Sequence, residues 1–261
     1  MNIGVFDSGL GGLTVVKALQ SHIQNAHIFY LADTQNAPYG DKTSAQILQY
    51  SLDISHYLIE TYQIDALILA CNTATSFAIE SLRQKYPSLI IIGTEPGLKP
   101  AITQSKTGNI GVLATPATLQ GKKYHALVER LSQENEVYFL EQACGGLVEE
   151  IEKGVISTPK IKSLLTHWLL PMKAHHVDTI VLGCTHYPLV GHIIKEIMHP
   201  NITLIDTAEA IAKRLLKLLL LKGHQNSGIL ELNVESTGDI EIQLMEMIVD
   251  KPVKYKRNRQ L

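Results

Sequence analysis

Two apolar runs, each ending in a cysteine, restrict how this chain can fold. The first is Ala66-Leu-Ile-Leu-Ala-Cys-Asn-Thr-Ala-Thr-Ser76, and the second, Thr179-Ile-Val-Leu-Gly-Cys-Thr-His-Tyr-Pro188, repeats its pattern. A short apolar run bounded by turn residues is typical of a buried parallel strand. Ligands of open α/β sheets bind beyond the carboxyl ends of such strands. We therefore expect Cys71 and Cys184 to approach one site from two sides, although buried cysteines are often structural.

The rest of the chain alternates short apolar runs with helical patterns, which predicts an α/β fold with largely parallel sheets. Besides the two cysteine runs, the predicted strands cover residues 3–6, 27–32, 89–92, 137–140, 202–205 and 230–235. A helical pattern begins at Leu13, and a helix follows Cys71. The other predicted helices cover residues 44–62, 117–131, 160–173 and 208–221.

Two matching segments indicate that the chain contains two related halves. Asn2-Ile-Gly-Val-Phe-Asp-Ser-Gly9 returns as Asn109-Ile-Gly-Val-Leu-Ala-Thr-Pro116, and the cysteine runs follow in the same order at a similar spacing. The terminal segment has no counterpart in the second half, so we expect it to return to the first domain. We predict one α/β domain from residues 1–94 with 206–261, and a second from residues 95–205.

Charge and composition exclude several classes of protein. A net charge of −2 over 261 residues argues against a dedicated nucleic-acid surface. Three cysteines make no disulfide framework and fit a reducing cytosol. Residues 1–7 lack the features of a signal peptide, and the leucine run broken by Lys217 is too short to span a membrane. We therefore expect a cytoplasmic protein. Its basic C-terminal end is interpreted as a solvated tail: Lys254, Lys256, Arg257 and Arg259.

Two facing thiols could serve several kinds of chemistry. A free thiol has a pKa of about 8.5, and a helix N-terminus raises its thiolate fraction. We expect a helix to start after each cysteine. Redox pairs usually use Cys-x-x-Cys, which is absent, and a nucleophile needs only one cysteine. Zinc bound by Cys71, Cys184 and His186 would lack the usual four-ligand spacing. Proton abstraction from one face of a ligand and donation to the other, which is racemisation, uses both thiols.

Two further segments are candidates for ligand contacts. Asp7-Ser-Gly-Leu-Gly-Gly12 is a glycine-rich turn between strand and helix, where backbone N–H groups can face an anion. Its spacing matches neither the dinucleotide fingerprint nor a P-loop, and Asp7 could be a helix cap or a functional carboxylate. Asp33-Thr-Gln-Asn-Ala-Pro-Tyr-Gly40 follows a strand end and could be a substrate loop or a surface turn.

Together, four motifs resemble those of the bacterial glutamate racemases, and the resemblance runs from Asn2 to at least Asp239. The motifs are Asp7-Ser-Gly-Leu-Gly-Gly12, Pro38-Tyr-Gly40, Cys71-Asn-Thr-Ala74 and Gly183-Cys-Thr-His-Tyr-Pro188. The resemblance implies two α/β domains related by a pseudo-twofold axis, with a cofactor-independent active site between them. It further implies interconversion of L- and D-glutamate, which supplies D-glutamate for peptidoglycan. Glutamate is the implied partner, no nucleic acid, membrane or metal is required, and a homodimer is left open.

The resemblance also assigns roles to individual residues. It implies that Cys71 takes the α-proton from D-glutamate and Cys184 takes it from L-glutamate, with Asp7 and His186 assisting them respectively. Matching positions imply a set of substrate-binding residues: Ser8, Tyr39, Gly40, Asn72, Thr73 and Thr185. A further set of candidate site residues lies in segments that match the family less specifically: Asp33, Thr115, Thr118 and Glu149.

One segment departs from the commoner family pattern. Ala143-Cys-Gly-Gly-Leu-Val-Glu149 carries Gly-Gly where many members have bulkier residues and a proline, so the role of Glu149 is left open. Cys144 has no strand end before it in this interpretation, and we expect it to be structural.

Two functions are alternatives to glutamate racemisation. Aspartate racemases of the same superfamily resemble this chain at Cys71-Asn-Thr but commonly carry Glu where this chain has His186. His186 together with Pro38-Tyr-Gly40 therefore favours glutamate. A two-domain amino-acid-binding protein without catalysis would need no paired thiols.

Overall fold

The computed structural model describes residues 1–249 and 253–258 and contains two sheets in that part of the chain. The strands are β1 (Asn2–Asp7), β2 (Ala26–Ala32), β3 (Ala66–Leu69), β4 (Ile90–Gly93), β5 (Asn109–Ala114), β6 (Tyr138–Ala143), β7 (Thr179–Gly183), β8 (Thr203–Ile205), β9 (Leu230–Ser236) and β10 (Lys254–Arg257). Every strand pair among these is parallel. The predicted α/β class with parallel sheets is confirmed.

Helices cover the faces of both sheets. They are α1 (Leu13–His22), α2 (Ser44–Tyr62), α3 (Asn72–Lys85), α4 (Leu98–Gln104), α5 (Pro116–Leu119), α6 (Lys122–Asn135), α7 (Leu147–Glu152), α8 (Pro159–Ala174), α9 (Gly191–Met198), α10 (Ala208–Leu221) and α11 (Ile242–Val249). Short 3₁₀ turns lie at Tyr39–Asp41 and Tyr187–Val190. Apolar clusters fill the space between each sheet and its helices, so each sheet is buried on both faces.

The two sheets share one topology. The first has the strand order β10-β9-β2-β1-β3-β4, and the second has β6-β5-β7-β8, which repeats its last four positions. Strands β1 and β3 are therefore the counterparts of β5 and β7, as the matching sequence segments predict. Since β9 and β10 lie in the first sheet, the chain returns there after the second sheet is complete. The division at residues 94/95 and 205/206 stays a prediction.

One predicted helix is two helices in the structure. The apolar pattern over 117–131 predicts a continuous helix, but α5 ends at Leu119 and α6 begins at Lys122. The Thr115 side chain caps α5 by accepting from Thr118 N, and Gly121 N then bonds back to Thr118 O. This local turn ends the first helix, although apolar residues continue at helical spacing.

Two other predictions about local structure are wrong. Strand β6 extends beyond residues 137–140 to Ala143, so Cys144 does follow a strand end. The basic end is not a solvated tail over residues 254–257, because β10 pairs in parallel with β9. Lys256 Nζ lies 2.9 Å from Glu235 Oε1, and Glu235 is buried. The contact with this buried carboxylate favours an ordered strand over a free tail. Arg259, the last basic residue of the predicted tail, lies outside the described residues.

Candidate active site

Cys71 lies directly after β3 and caps the first turn of α3. Its Sγ accepts a hydrogen bond from Ala74 N at 3.4 Å, and Ser8 Oγ lies 3.7 Å from the same sulfur. Only 6% of the residue is exposed. Burial and the nearby Asp7 carboxylate raise the pKa of this thiol to about 12, against the smaller opposing effects of Ala74 N–H and Ser8. The raised pKa favours the protonated thiol at Cys71.

Cys184 lies directly after β7, the counterpart of β3, but its surroundings differ. A 3₁₀ turn at Tyr187–Val190 follows it, and α9 starts only at Gly191, so the predicted helix start after this cysteine is wrong. Its Sγ instead lies 3.6 Å from His186 Nδ1. The surroundings of the two thiols differ at this histidine. A titratable ring lies beside the sulfur of Cys184, whereas a backbone N–H and a hydroxyl group lie beside the sulfur of Cys71.

A partly buried glutamate contacts the other nitrogen of that ring. His186 Nε2 lies 2.5 Å from Glu152 Oε1, which also accepts from Leu10 N at 2.7 Å. Gly11 N lies 3.2 Å from the same histidine nitrogen. Burial by itself lowers the pKa of His186, but its contacts with Cys184 and Glu152 raise it more, so the net shift is well above the usual value. An imidazolium is thereby favoured between the thiol and a carboxylate.

Asp7 connects the two halves at the other side of the site. Its Oδ1 accepts from Gly9 N at 2.8 Å, and its Oδ2 accepts from Thr185 Oγ1 at 3.0 Å. The residue is fully buried. Burial raises the pKa of this carboxyl, and the attraction of His186 together with the two hydrogen bonds offsets only part of that rise. Asp7 thus fixes the turn at Gly9 and does not cap helix α1, whose N-cap is Gly12 without a side-chain bond, so the helix-cap interpretation is wrong. Its role as a functional carboxylate stays a prediction.

The two thiols line one small cavity of about 20 Å³. Most of the sequence-predicted residues lie in its wall, together with Cys144: Ser8, Tyr39, Gly40, Cys71, Asn72, Thr73, Thr115, Glu149, Cys184, Thr185 and His186. This volume is about that of one water molecule. An amino acid can enter only after the walls move apart. A larger cavity of about 540 Å³ borders Asn72 and Cys184 from the side of α1 and α10.

Three predicted residues lie behind that wall. Asp7 is one, and Thr118 is another: its hydroxyl lies 3.1 Å from that of Thr73 and 2.9 Å from that of Thr115. Thr73 and Thr115 hydroxyls are themselves 2.9 Å apart, so this threonine cluster joins α3 to the second sheet. Asp33 is the third, and its carboxylate accepts the Tyr39 hydroxyl at 2.6 Å. Asp33 can thus influence the cavity only through a neighbour.

Comparison with known proteins decides the family. The family described as Asp/Glu/Hydantoin racemase matches residues 13–215. The glutamate racemase of Sulfurovum sp. (strain NBC37-1) is 59% identical over 249 residues, which are 95% of this chain and 94% of that protein. The chain belongs to the glutamate racemase branch of this family. This membership confirms the resemblance found in the sequence motifs and makes the chain an isomerase of the amino-acid racemase class.

Solved glutamate racemases share the whole fold. The enzyme from Francisella tularensis subsp. tularensis SCHU S4, in complex with D-glutamate, has a TM-score of 0.83 at 29% identity, covering 98% of this chain and 96% of that one. The Escherichia coli enzyme, in complex with L-glutamate and activator UDP-MurNAc-ala, has a TM-score of 0.85 at 27% identity, covering 98% and 97%. The two-domain racemase architecture therefore holds over nearly the full length.

Sequence reasoning about this racemase missed Glu152. It named Glu149, three residues earlier on α7, which lines the cavity, whereas Glu152 bonds to His186. A helix places residues three apart on one face, so the acidic side chain one turn after Glu149 was a usable signal. The pKa of Glu152 is lowered: burial alone would raise it, but the hydrogen bond and charge of His186 outweigh burial.

Two kinds of feature are absent from the described residues, 1–249 and 253–258. No helix there is long and apolar enough to cross a membrane. No group of three or more His, Cys, Asp or Glu side chains in that part of the racemase could hold a metal ion.

Proposed function

We propose that the chain interconverts L- and D-glutamate without a cofactor, with Cys71 and Cys184 as acid–base groups on opposite sides of the α-carbon. The observation that carries the proposal is that both thiols follow equivalent strands of two sheets and line the same small cavity. The 59% identity to a glutamate racemase, and the two related racemases solved in complex with D- and L-glutamate, support the substrate.

The two thiols have different partners, which supports a separate role for each. Cys184 has His186 at 3.6 Å, with Glu152 behind the ring, so its proton can pass to and from the imidazole. Cys71 has Ser8 and the N-terminal turn of α3, whose N–H groups stabilise a thiolate. We propose that Cys184 removes the proton of L-glutamate and Cys71 that of D-glutamate. Each thiol then returns a proton when the reaction runs the other way.

The main difficulty of the reaction is the weak acidity of the α-proton. The cavity can stabilise a carbanion-like transition state because its dipoles are fixed before the substrate arrives. The hydroxyls and amides of the wall are already held by neighbours: Thr185 bonds to Asp7, and Asn72 Nδ2 donates to Thr94 O at 3.4 Å. Closure around the substrate excludes water and strengthens each remaining polar contact.

The same residues are proposed to bind the rest of glutamate. Its carboxylates and ammonium group need hydrogen-bonding partners inside the closed cavity, since a buried charge without partners is strongly unfavourable. We assign this role to a set of wall residues: Ser8, Tyr39, Gly40, Asn72, Thr73, Thr115, Thr185 and Glu149. Thr118 supports Thr73 and Thr115 from behind.

In the cell, this activity would supply D-glutamate for peptidoglycan in the cytoplasm. This part of the proposal rests on the racemase family alone. A homodimer and independence from nucleic acid stay predictions from the sequence.

A coupled assay of D-glutamate formation from L-glutamate tests the proposal. We expect Cys71→Ala and Cys184→Ala each to lose about 10² to 10⁴ in rate in both directions, which is the usual worth of a positioned acid or base. In D₂O the wild type should place deuterium on newly formed product, because one thiol accepts the proton and the other donates. A Cys71→Ala protein with wild-type turnover, or product that keeps the substrate's own α-proton, contradicts the two-thiol mechanism.

The third thiol tests a separate expectation. Cys144 borders the same cavity but lies against Tyr187, and burial raises its pKa further from neutrality. If it is structural, Cys144→Ala should lower the melting temperature and leave turnover within a few-fold of wild type. Aspartate offered to the same assay distinguishes the second candidate, aspartate racemisation.

A further inference from the structure

The loop that carries Tyr39 forms one wall of the cavity and is held against both halves of the chain. The Tyr39 ring packs edge-on against Phe6 at 6.0 Å between centroids, and only 1% of the residue is exposed. A Cβ added at Gly40 would lie 3.1 Å from Thr115 Cβ. The loop thus has little freedom where it faces the second sheet, so a small shift of Tyr39 would change the width of the cavity.

The Tyr39 hydroxyl does not face the cavity but bonds to Asp33. Tyr39 Oη donates to Asp33 Oδ2 at 2.6 Å, and Asn36 Nδ2 lies 3.1 Å from both carboxylate oxygens. Asp33 is fully buried. A buried carboxylate needs all its lone pairs satisfied, because an unpaired one is costly in the protein interior. The orientation of Asp33 therefore determines where Tyr39 lies.

The remaining partner of that carboxylate comes from the far end of the chain. Thr237 Oγ1 donates to Asp33 Oδ1 at 2.8 Å. This threonine directly follows β9 and lies outside residues 13–215, which match the racemase family. Two backbone bonds hold it in place: Thr237 N donates to Ala32 O at 3.0 Å, and Gln35 N donates to Thr237 Oγ1 at 3.0 Å.

These bonds leave the Thr237 hydroxyl a single orientation. Its oxygen accepts from Gln35, so its hydrogen is directed to Asp33, and 4% of the residue is exposed. Gly238 N also donates to Thr34 Oγ1 at 2.9 Å, which ties the same turn to the start of the loop. A hydrogen-bonded path thus runs from the C-terminal segment through Asp33 to Tyr39.

We propose that Thr237 is a positioning residue for glutamate binding, which it supports by orienting Asp33 and, through it, the loop Pro38-Tyr-Gly40. This inference rests on the proposed function, because it concerns the wall of the same cavity. Thr237 touches no reacting atom. Removing its hydroxyl should shift the cavity wall, and this shift should weaken the binding of the substrate and of the transition state equally. Uniform loss of binding raises KM and leaves kcat nearly unchanged.

The experiment compares three variants of the full chain in the glutamate assay. Thr237→Val keeps the shape and removes the hydroxyl, and Thr237→Ser restores the hydroxyl. The matched control is Ser236→Ala at the same strand end: Ser236 is fully buried, and its hydroxyl lies 2.6 Å from Gly238 O and 2.9 Å from Tyr255 Oη, away from Asp33. If Thr237→Val does not fold, Thr237→Ala replaces it under the same criteria.

We expect Thr237→Val to raise KM for both enantiomers by about tenfold, the worth of roughly one hydrogen bond, with kcat within threefold of wild type. Thr237→Ser and Ser236→Ala should keep the wild-type KM. A wild-type KM in Thr237→Val, or an equal rise of KM in Ser236→Ala, overturns the role of Thr237. A wild-type protein that does not turn over glutamate overturns the proposed function itself.

Discussion

Glu152→Gln removes one negative charge behind the ring of His186 and leaves the side-chain shape almost unchanged. Glu152 accepts from Leu10 N and lies 2.5 Å from His186 Nε2, so the substituted amide can still accept through its oxygen. What it cannot do is stabilise a positive charge on the imidazole. The variant therefore tests whether the charge of the histidine matters for turnover, separately from its position.

The expected size of the effect follows from the geometry of the pair. The His186 side chain is 1% exposed and the Glu152 side chain 21% exposed, so the contact is largely shielded from water. A hydrogen bond to a charged group contributes about 1.5–3 kcal/mol. Because Glu152 keeps some exposure, we take the lower half of that range. We expect kcat/KM to fall by about 10- to 40-fold.

The pH profile gives the sharper measurement. Glu152 and Cys184 hold the pKa of His186 well above its usual value, against the effect of burial. Without the carboxylate this pKa falls, so the imidazolium beside Cys184 is lost at lower pH. The basic limb of kcat/KM for L-glutamate should move to lower pH. The value of kcat/KM must fall by the same factor in both directions, since L- and D-glutamate are equally stable. Primary isotope effects with α-deuterated L- and D-glutamate then identify the affected step.

Glu150→Gln is the matched control on the same helix. The Glu150 carboxylate bonds to Lys153 Nζ at 2.7 Å and Lys160 Nζ at 2.6 Å, not to the site. We expect it to keep the wild-type rate and pH profile. Wild-type kcat/KM and an unmoved basic limb in Glu152→Gln would refute the role assigned to this pair.

Three other predictions concern the same site. Activity should survive exhaustive dialysis against a chelator without added metal or pyridoxal phosphate; activity that returns only with one of them would contradict this. Gly11→Ala should lower kcat/KM at least tenfold in a rate assay, because a Cβ there would collide with the His186 ring. The control Gly145→Ala should match wild type in the same assay, because its Cβ would meet no described atom within 4 Å. The lowered pKa of Glu152 contributes stability above its unfolded value of about 4.3 that is lost as pH falls through its folded pKa. In thermal melts, the gap between wild type and Glu152→Gln should therefore be larger at pH 6 than at pH 3.

The sequence by itself determined the fold class and the family. Each strand that positions a thiol is a run of consecutive, mainly apolar residues, so it can be recognised from the local sequence. The equivalence of Cys71 and Cys184 also follows from the sequence, because the two apolar runs that end in these cysteines repeat one pattern in the same order in both halves. The same local logic failed at Gly121, where one turn divides a helix that the apolar pattern predicts as continuous.

The tertiary structure alone decided which side chains from distant parts of the chain meet. Glu152 reaches His186 over a separation of 34 residues, and Thr237 reaches Asp33 over 204. Neither pairing can be read from the sequence, because it depends on how separate elements pack and not on the spacing within one of them. The ordering of β10 has the same origin, since its pairing with β9 depends on an open sheet edge and the buried Glu235 that lie outside the segment.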